Sequence, residues 1–570
     1  MEKTPVIAFK HFGYQYNAQA EPTLYDINLS IYPGEKILIA GPSGSGKSTL
    51  AHCINGLIPF SFIGEKTGSL QLNGRETSEL SLFEISKTVG TVLQDSDAQF
   101  VGLTVAEDIA FALENDCVPL PEMHRRVTAA ADEVNVGGVL AHAPHELSGG
   151  QKQRVSLAGV LVDNVSVLLF DEPLANLDPA TGKQAIELID DIHTKTGAAV
   201  VIIEHRIEDV LHRDVDRVIL VNDGRIVADM PPDELLCSDL LRQNGLREPL
   251  YITALKYAGV QITPDMQPRH IESIVLDESA RQSVCGWFAA TPPAPAEPER
   301  PVLLETKHIR FAYDNGKEAL HDISFALHKG EILCIVGQNG AGKSTFSKVI
   351  CGFETPQAGT LTLDGENLFP LSVKERADHI GYVMQNPNQM ISKNLIFDEV
   401  GLALTIDGEA PETVREKVEE TLRICGLYPF RNWPISALSF GQKKRVTIAS
   451  ILAMGPEIII LDEPTAGQDF KHYTEIMEFL LTLNRAGVTI VMITHDMHLM
   501  LEYAPRAVVF ADGNIVCDDT AANVLTNPAI IETASLKETS LFTLAVRCGL
   551  AKPRDFVQRF IDYDRQVRAK

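Results

Sequence analysis

The segment GPSGSGKST beginning at Gly41 and the segment GQNGAGKST beginning at Gly337 both carry the glycine, lysine and hydroxyl spacing of a phosphate cradle. Glycines at 41, 44 and 46, and at 337, 340 and 342, let the backbone turn so that successive N–H groups face one anion. Ser43, Thr49, Asn339 and Thr345 fall inside the same loops. A helix starting at the lysine would add positive potential at its N-terminus. Lys47 and Lys343 are then expected to reach the β- and γ-phosphates, and the hydroxyls of Ser48 and Ser344 to sit on Mg²⁺. A second pair of signals closes the chemistry. Apolar runs end in DEP at Asp171–Pro173 and Asp462–Pro464. Asp171 and Asp462 are placed for the Mg²⁺ shell, while Glu172 and Glu463 are placed to orient or deprotonate an attacking water.

These residues need a scaffold, and the chain supplies it twice. LSGGQKQR (from Leu147) is matched by LSFGQKKR (from Leu438), and LLFDEP (168–173) by IILDEP (459–464). The second copy trails the first by 290 to 296 positions, from His205–His495 to Lys47–Lys343. At that period the repeat is a duplicated domain and not a solenoid. Domains are expected at 5–230 and 302–525. A helical appendage and linker fill 231–301, and a helical tail 526–570. The linker TPPAPAEPERP (291–301) holds five prolines in eleven residues and reads as extended chain. In the tail, Phe556, Phe560, Ile561 and Tyr563 can share one apolar helix face. KILIAGPSGSGKST reads as strand, turn and helix. VSVLLFDEP, AAVVIIEH and GVTIVMITH read as buried strands ending in polar residues. Continuous Val/Ile/Leu runs between helical segments indicate an α/β fold: two tandem P-loop domains, each built on a parallel sheet covered on both faces. Ligands of such sheets collect at strand C-terminal ends.

Composition narrows the function classes. With 50 Lys and Arg against 76 Asp and Glu, the formal charge is −26, a poor match to a nucleic-acid backbone. Nine dispersed cysteines without CxxC spacing are expected to be reduced, mostly buried, and neither a disulfide framework nor a zinc site. Apolar runs such as Val165–Phe170 fall far short of the ~18–20 residues of a membrane helix. The N-terminus lacks the pattern of a signal peptide, so the protein is expected on the cytosolic side.

LSGGQ and LSFGQ, each between a P-loop and a DEP, resemble the signature of ABC ATPases, and the resemblance covers about 450 of the 570 residues. It implies ATP and Mg²⁺ as ligands, and head-to-tail pairing of the two halves within one chain, with no homodimer required. Ser148, Gly149, Gly150 and Gln151, and Ser439, Gly441 and Gln442, would bind nucleotide. Gln94 and Gln385 resemble the Q-loop glutamines that touch Mg²⁺. His205 and His495 resemble the switch histidines on the γ-phosphate. Asp178 (ANLD) and Asp469 (AGQD) resemble the D-loops that couple the sites. Tyr14 (FGY) and Tyr313 (FAY) resemble the adenine-stacking aromatics, with Tyr16 competing for the role of Tyr14. In this pairing the first P-loop would face LSFGQ, where Phe440 replaces a glycine, so unequal turnover is expected.

The stretches QDSDAQFVGLTVAEDIAFALEN (94–115) and QNPNQMISKNLIFDEVGLAL (385–404), with IIEHRIEDV (202–210), resemble ATPases of energy-coupling-factor importers of vitamins or transition metals. That resemblance implies a transmembrane scaffold subunit and a separate membrane substrate-capture subunit as partners, and a place on the cytoplasmic face of the membrane. The expected docking surface follows the Q-loops: Phe100, Val101 and Leu103, and Met390, Ile391 and Leu395, rimmed by Asp95, Asp97 and Glu107. Fused sugar-importer ATPases commonly have one degenerate site, whereas both P-loops and both DEP pairs here are complete. Exporters usually bring their own membrane segments, and ribosome-acting ABC-F proteins carry a long, highly charged helical linker. Another ABC transporter class and an ABC-F-like activity remain the alternative readings. The sequence does not name the transported substrate.

Overall fold

The computed structural model describes residues 4–94, 97–175, 177–293, 300–314 and 316–568. Asp95, the side chain of Asp97 and the linker residues 294–299 therefore lie outside the described residues. The chain divides into two compact units, Met1–Val284 and Cys285–Lys570.

In the first unit the strands are β1 (Ile7–Tyr16), β2 (Leu24–Ile31), β3 (Lys36–Ala40), β4 (Gly64–Leu72), β5 (Arg75–Glu76), β6 (Val89–Val92), β7 (Val167–Asp171), β8 (Ala199–Ile203), β9 (Arg217–Asn222) and β10 (Arg225–Met230). The six-stranded sheet runs β10-β9-β3-β8-β7-β6. Its strands pair in parallel except for the antiparallel edge pair β9–β10. β3, β7 and β8 are apolar because helices cover both faces of the sheet. The helices that matter here are α1 (Lys47–Ile54), α2 (Val105–Asn115), α3 (Leu120–Glu133), α4 (Gly149–Leu161), α5 (Pro179–Thr196) and α6 (Leu250–Tyr257); α7 (Glu278–Ala290) starts in this unit and ends in the second.

The second unit repeats the plan with β11 (Val302–Ala312), β12 (Glu318–His328), β13 (Ile332–Gly337), β14 (Ala358–Leu363), β15 (Glu366–Asn367), β16 (Ile380–Val383), β17 (Ile458–Asp462), β18 (Thr489–Ile493), β19 (Arg506–Ala511) and β20 (Asn514–Asp519). The main sheet runs β16-β17-β18-β13-β19-β20. Its helices include α8 (Lys343–Cys351), α9 (Pro411–Ile424), α10 (Phe440–Leu452), α11 (Phe470–Arg485), α12 (Met497–Tyr503), α13 (Ser540–Arg547) and α14 (Pro553–Arg568).

Each unit also has a four-stranded antiparallel sheet, β2-β1-β4-β5 and β12-β11-β14-β15. Reading for continuous apolar runs does not find it. β2 alternates, burying Leu24, Ile27, Leu29 and Ile31 while Asp26 and Asn28 face water, as a sheet with one wet face requires. In the first unit this second sheet completes the core around the P-loop helix. Phe9, Ile27 and Ile31 join Leu50 and Ile54 of α1 and Leu169 and Val201 of the main sheet in one cluster. A P-loop helix held between two sheets cannot tilt without opening a cavity in either.

Both appendages rest on the segment that follows the histidine after β8 or β18. In the first unit Leu250 N donates to Glu208 (2.8 Å), and the ring of His270 reaches Leu211 O (2.7 Å). In the second, α14 buries Phe556, Phe560 and Ile561 as its sequence pattern implies, and Arg565 donates to Glu502 O on α12 (2.5 Å). Tyr563 of the same face packs edge-on against Trp287. All nine cysteines lie outside disulfides, and five of them are buried. Among the described residues no helix is long and apolar enough to cross a membrane.

Candidate functional site

The P-loops form as their spacing requires. Gly46 and Gly342 lie immediately before α1 and α8 at φ 101° and 102°, a region that side chains avoid. A Cβ on Gly41 would come within 2.1 Å of Val221 O, and one on Gly337 within 2.1 Å of Phe510 O, so the start of each loop lies flush against the neighbouring strand. Ser43, Gly44 and Ser48, with Asn339, Gly340 and Ser344, remain exposed. The ammonium of Lys47 donates to Gly41 O and Pro42 O (both 2.8 Å). That of Lys343 donates to Gly337 O (2.7 Å) and Gln338 O (2.8 Å). Each lysine is thus folded over its own loop, with its cation at the centre of the cradle.

β7 and β17 deliver the carboxylates beside these loops. Glu172 and Glu463 both adopt left-handed backbone conformations, φ 47° and 45°. Two non-glycine residues strained alike, at matching positions, mark a turn held by its surroundings. Burial, then the adjacent Glu172 charge, pushes Asp171 up to about 6. Burial also raises Glu172 and Asp462. Oδ1 of Asp171 is buried and finds no hydrogen-bond partner among the described residues. In the second half Asp462 Oδ2 accepts from Tyr382 (2.8 Å) and Ser344 (3.3 Å). A divalent cation beside Asp171 or Asp462 would relieve the desolvation that raises both groups.

Gln94 donates to Glu172 (2.7 Å), which brings the segment after β6 onto the glutamate that follows β7. In the second half Gln385 is exposed, and its carbonyl accepts from Lys444 (2.9 Å). His495 Nδ1 lies 2.6 Å from Glu463. His205 Nδ1 instead approaches Glu204 (3.1 Å).

The signature serines cap α4 and α10: Gln151 N donates to Ser148 Oγ (3.4 Å) and Gln442 N to Ser439 Oγ (3.3 Å), each within a capping box. A Cβ on Gly149 meets nothing within 4 Å, whereas one on Gly150 would press on Thr181 at 2.8 Å. The second half follows this rule. Phe440 stands at the open position, 41% exposed, and Gly441 is kept at the crowded one.

One expectation needs correction. Tyr14 is only 2% exposed, and its hydroxyl donates to Phe62 O, so its ring belongs to the core. Tyr16 takes the place that Tyr313 has in the second half: its hydroxyl meets Thr49 Oγ1 (3.1 Å), as that of Tyr313 meets Thr345 Oγ1 (2.9 Å). The hydroxyls of Thr49 and Thr345 therefore anchor these tyrosines. The repeat spacing carried this signal, since Tyr16 precedes Tyr313 by 297 positions and Tyr14 by 299, against 296 for the P-loop lysines. Asp178 and Asp469 are buried N-caps of α5 and α11, holding Thr181 N (2.9 Å) and His472 N (2.8 Å), so they shape the D-loops from within. Glu107 is exposed and forms the capping box of α2 with Thr104.

Sequence reading missed Lys444. It is 1% exposed, and its ammonium donates to Met384 O (2.7 Å) and Gln385 O (2.9 Å). Burial pulls it down to about 8. It ties the signature helix α10 to the Q-loop, whereas Gln153 at the matching position donates to Pro173 O (2.5 Å).

Residues 24–175 and 320–466 match the ABC transporter family model. The chain is 57% identical to an ABC transporter ATP-binding protein of Clostridium perfringens, over 100% of both chains. It is 56% identical to one of Enterococcus faecalis, over 99% of this chain and 100% of that one. The chain belongs to the ABC transporter family. It is an ATP-binding protein of that family and an ATPase. Residues 238–311 also match a family described as ATP-binding cassette cobalt transporter. Among solved structures it is similar to cbiO1 of Clostridium perfringens, described as part of the ABC transporter complex cbiONQ. Identity there is 30%, covering 41% of this chain and 94% of that one, with a TM-score of 0.38.

In this ATPase Lys444→Ala leaves the part-buried carbonyls of Met384 and Gln385 without their ammonium donor. It is expected to cost about 2–4 kcal/mol of stability, measured by urea unfolding. Lys444→Gln, which installs the first half's residue, is expected to cost less than half as much. Equal stability of the alanine variant and the native chain would remove the tether.

Proposed function

We propose that this chain hydrolyses ATP with Mg²⁺ at both P-loops and uses the energy to drive an importer of the energy-coupling-factor type. The observation that carries the chemistry is the paired carboxylate at the end of β7 and β17. It is desolvated in both halves, with its glutamate in a strained turn and a buried oxygen of Asp171 left without a partner. Asp171 and Ser48, and Asp462 and Ser344, would hold the ion, with Gln94 and Gln385 at its edge. When bound there, the ion would supply positive charge against the phosphate oxygens as negative charge builds on them. Lys47 and Lys343 and the loop N–H groups hold the phosphates in line. Glu172 and Glu463 orient a water and receive its proton as the water oxygen bonds to the γ-phosphorus and the bridge to ADP breaks. His205 and His495 meet the γ-phosphate. Tyr16 and Tyr313 give the adenine a ring to stack on.

Import is supported by the match of 238–311 to the cobalt-transporter family and by the segments after the Q-loops. Asp108 grips Val101 N (2.8 Å) and Gly102 N (3.0 Å), which turns the side chains of Val101 and Leu103 outward, 65% and 83% exposed. In the second half Glu399 grips Ser392 N (2.9 Å) and Lys393 N (2.7 Å), and Leu395 is 38% exposed. We read these as the seats for short amphipathic helices of a transmembrane scaffold subunit, which places the chain on the cytoplasmic face of the membrane beside a substrate-capture subunit.

The double variant Glu172→Gln with Glu463→Gln is expected to bind ATP nearly as the native chain does while turnover falls about 10²–10⁴-fold. Steady-state hydrolysis with a parallel binding titration measures both, and near-normal turnover would take these glutamates out of the mechanism. Leu103→Asp with Leu395→Asp is expected to reduce capture of membrane subunits from host membranes by about 30-fold or more, with ATP binding unchanged. Full capture by the double variant would place docking elsewhere.

A further inference from the structure

Strands β8 and β18 each present a histidine, yet the residue before it differs: Glu204 in the first half, Thr494 in the second. Glu204 is 0% exposed. A carboxylate so deeply buried is costly unless donors surround it. Its Oε1 accepts from His205 N (2.8 Å) and Arg206 N (3.2 Å) and lies 3.1 Å from His205 Nδ1, and its Oε2 accepts from Leu174 N (3.4 Å). The Arg206 guanidinium donates to Leu174 O in turn. The loop leaving Glu172 and the loop carrying His205 are thereby tied through Glu204.

The second half solves the same problem with fewer residues. Glu463 itself accepts from His495 N (3.1 Å), lies 2.6 Å from His495 Nδ1, and accepts from Thr494 Oγ1 (3.1 Å). Glu172, at the equivalent place, accepts from Gln94 (2.7 Å), and among the described residues no hydrogen bond joins it to His205.

We propose that Glu204 is a positioning residue of the first nucleotide site: it holds the backbone and Nδ1 of His205, leaves Nε2 as the ring atom available to the terminal phosphate, and frees Glu172 from bracing the histidine. Glu463 performs both duties in the second half, so the two halves divide the same work differently. The proposal rests on His205 meeting the γ-phosphate. Removing an imidazole's orienting carboxylate lowers turnover through the ring alone, without weakening substrate binding.

The test is steady-state ATP hydrolysis by the full-length chain carrying Glu204→Gln, His205→Ala, or both. Gln retains an acceptor for the backbone N–H groups but not the carboxylate that faces Nδ1. Glu204→Gln is expected to lower kcat about two- to tenfold with KM changed less than about twofold, and to have no further effect once His205 is alanine. Glu204→Thr, which this fold accommodates at the matching position, is expected to act in the same direction if the Gln variant folds poorly. A Glu204→Gln loss that persists in full on His205→Ala overturns the proposal, as does a variant with native kcat beside an impaired His205→Ala. Native turnover in His205→Ala removes the role of the histidine as well, which separates the two failures.

Discussion

Two carboxylates leaving the end of a buried strand side by side are the constraint around which this molecule is arranged. Water cannot screen them there: burial first, and then the adjacent Glu172 charge, pushes Asp171 upward. A strand on either side of β7 fixes their direction, since β6 and β8 both pair with it in parallel. A P-loop lysine one strand further on supplies the compensating positive charge. Helix α1 is wedged between two sheets so that this lysine and the loop amides stay aimed at the same point. The strained backbone of Glu172 and Glu463 persists because the flanking strands hold each turn, with Glu172 N donating to Ile203 O and Glu463 N to Ile493 O, both at 2.9 Å.

Duplication has preserved that constraint and varied what surrounds it. Lys444 braces the second Q-loop with a buried charge where the first half has the neutral Gln153. Phe440 occupies a helix position that is open to solvent, while the crowded neighbouring position remains glycine in both halves. Glu204 and Thr494 are the deepest of these differences, because they change which residue braces the histidine. Each substitution alters a support while the group it supports is retained, so the halves share one chemistry with different rigidity and different electrostatics.

Much of this was legible in the sequence. Motifs that bind phosphate do so through backbone geometry, which forces glycine at fixed places. Strands buried on two faces announce themselves as apolar runs ending in Asp171 and Asp462. The antiparallel sheet was not legible by that rule, since β2 shows only one apolar face. Tyr14 was misassigned because a motif letter says nothing about which of two nearby tyrosines faces inward. The repeat offset would have decided for Tyr16. Lys444 and Glu204 were invisible for another reason. Charged residues beside a signature or a strand end are ordinarily solvated, and only the packing of α10 and β8 shows that these two are not. Asp178 and Asp469 illustrate the converse, since residues matched to a coupling loop are anchored locally as helix caps.

The central claim is that both P-loops, each with its own paired carboxylates, bind nucleotide. Calorimetric titration of the full-length chain with ATP and Mg²⁺ tests it most directly, comparing the native protein with Lys47→Ala and Lys343→Ala. The account predicts two nucleotides bound per native chain and one in each variant, the lost site weakened by about tenfold or more through removal of a charge-assisted contact to phosphate. One nucleotide per native chain, or two at unchanged affinity after either substitution, would contradict it.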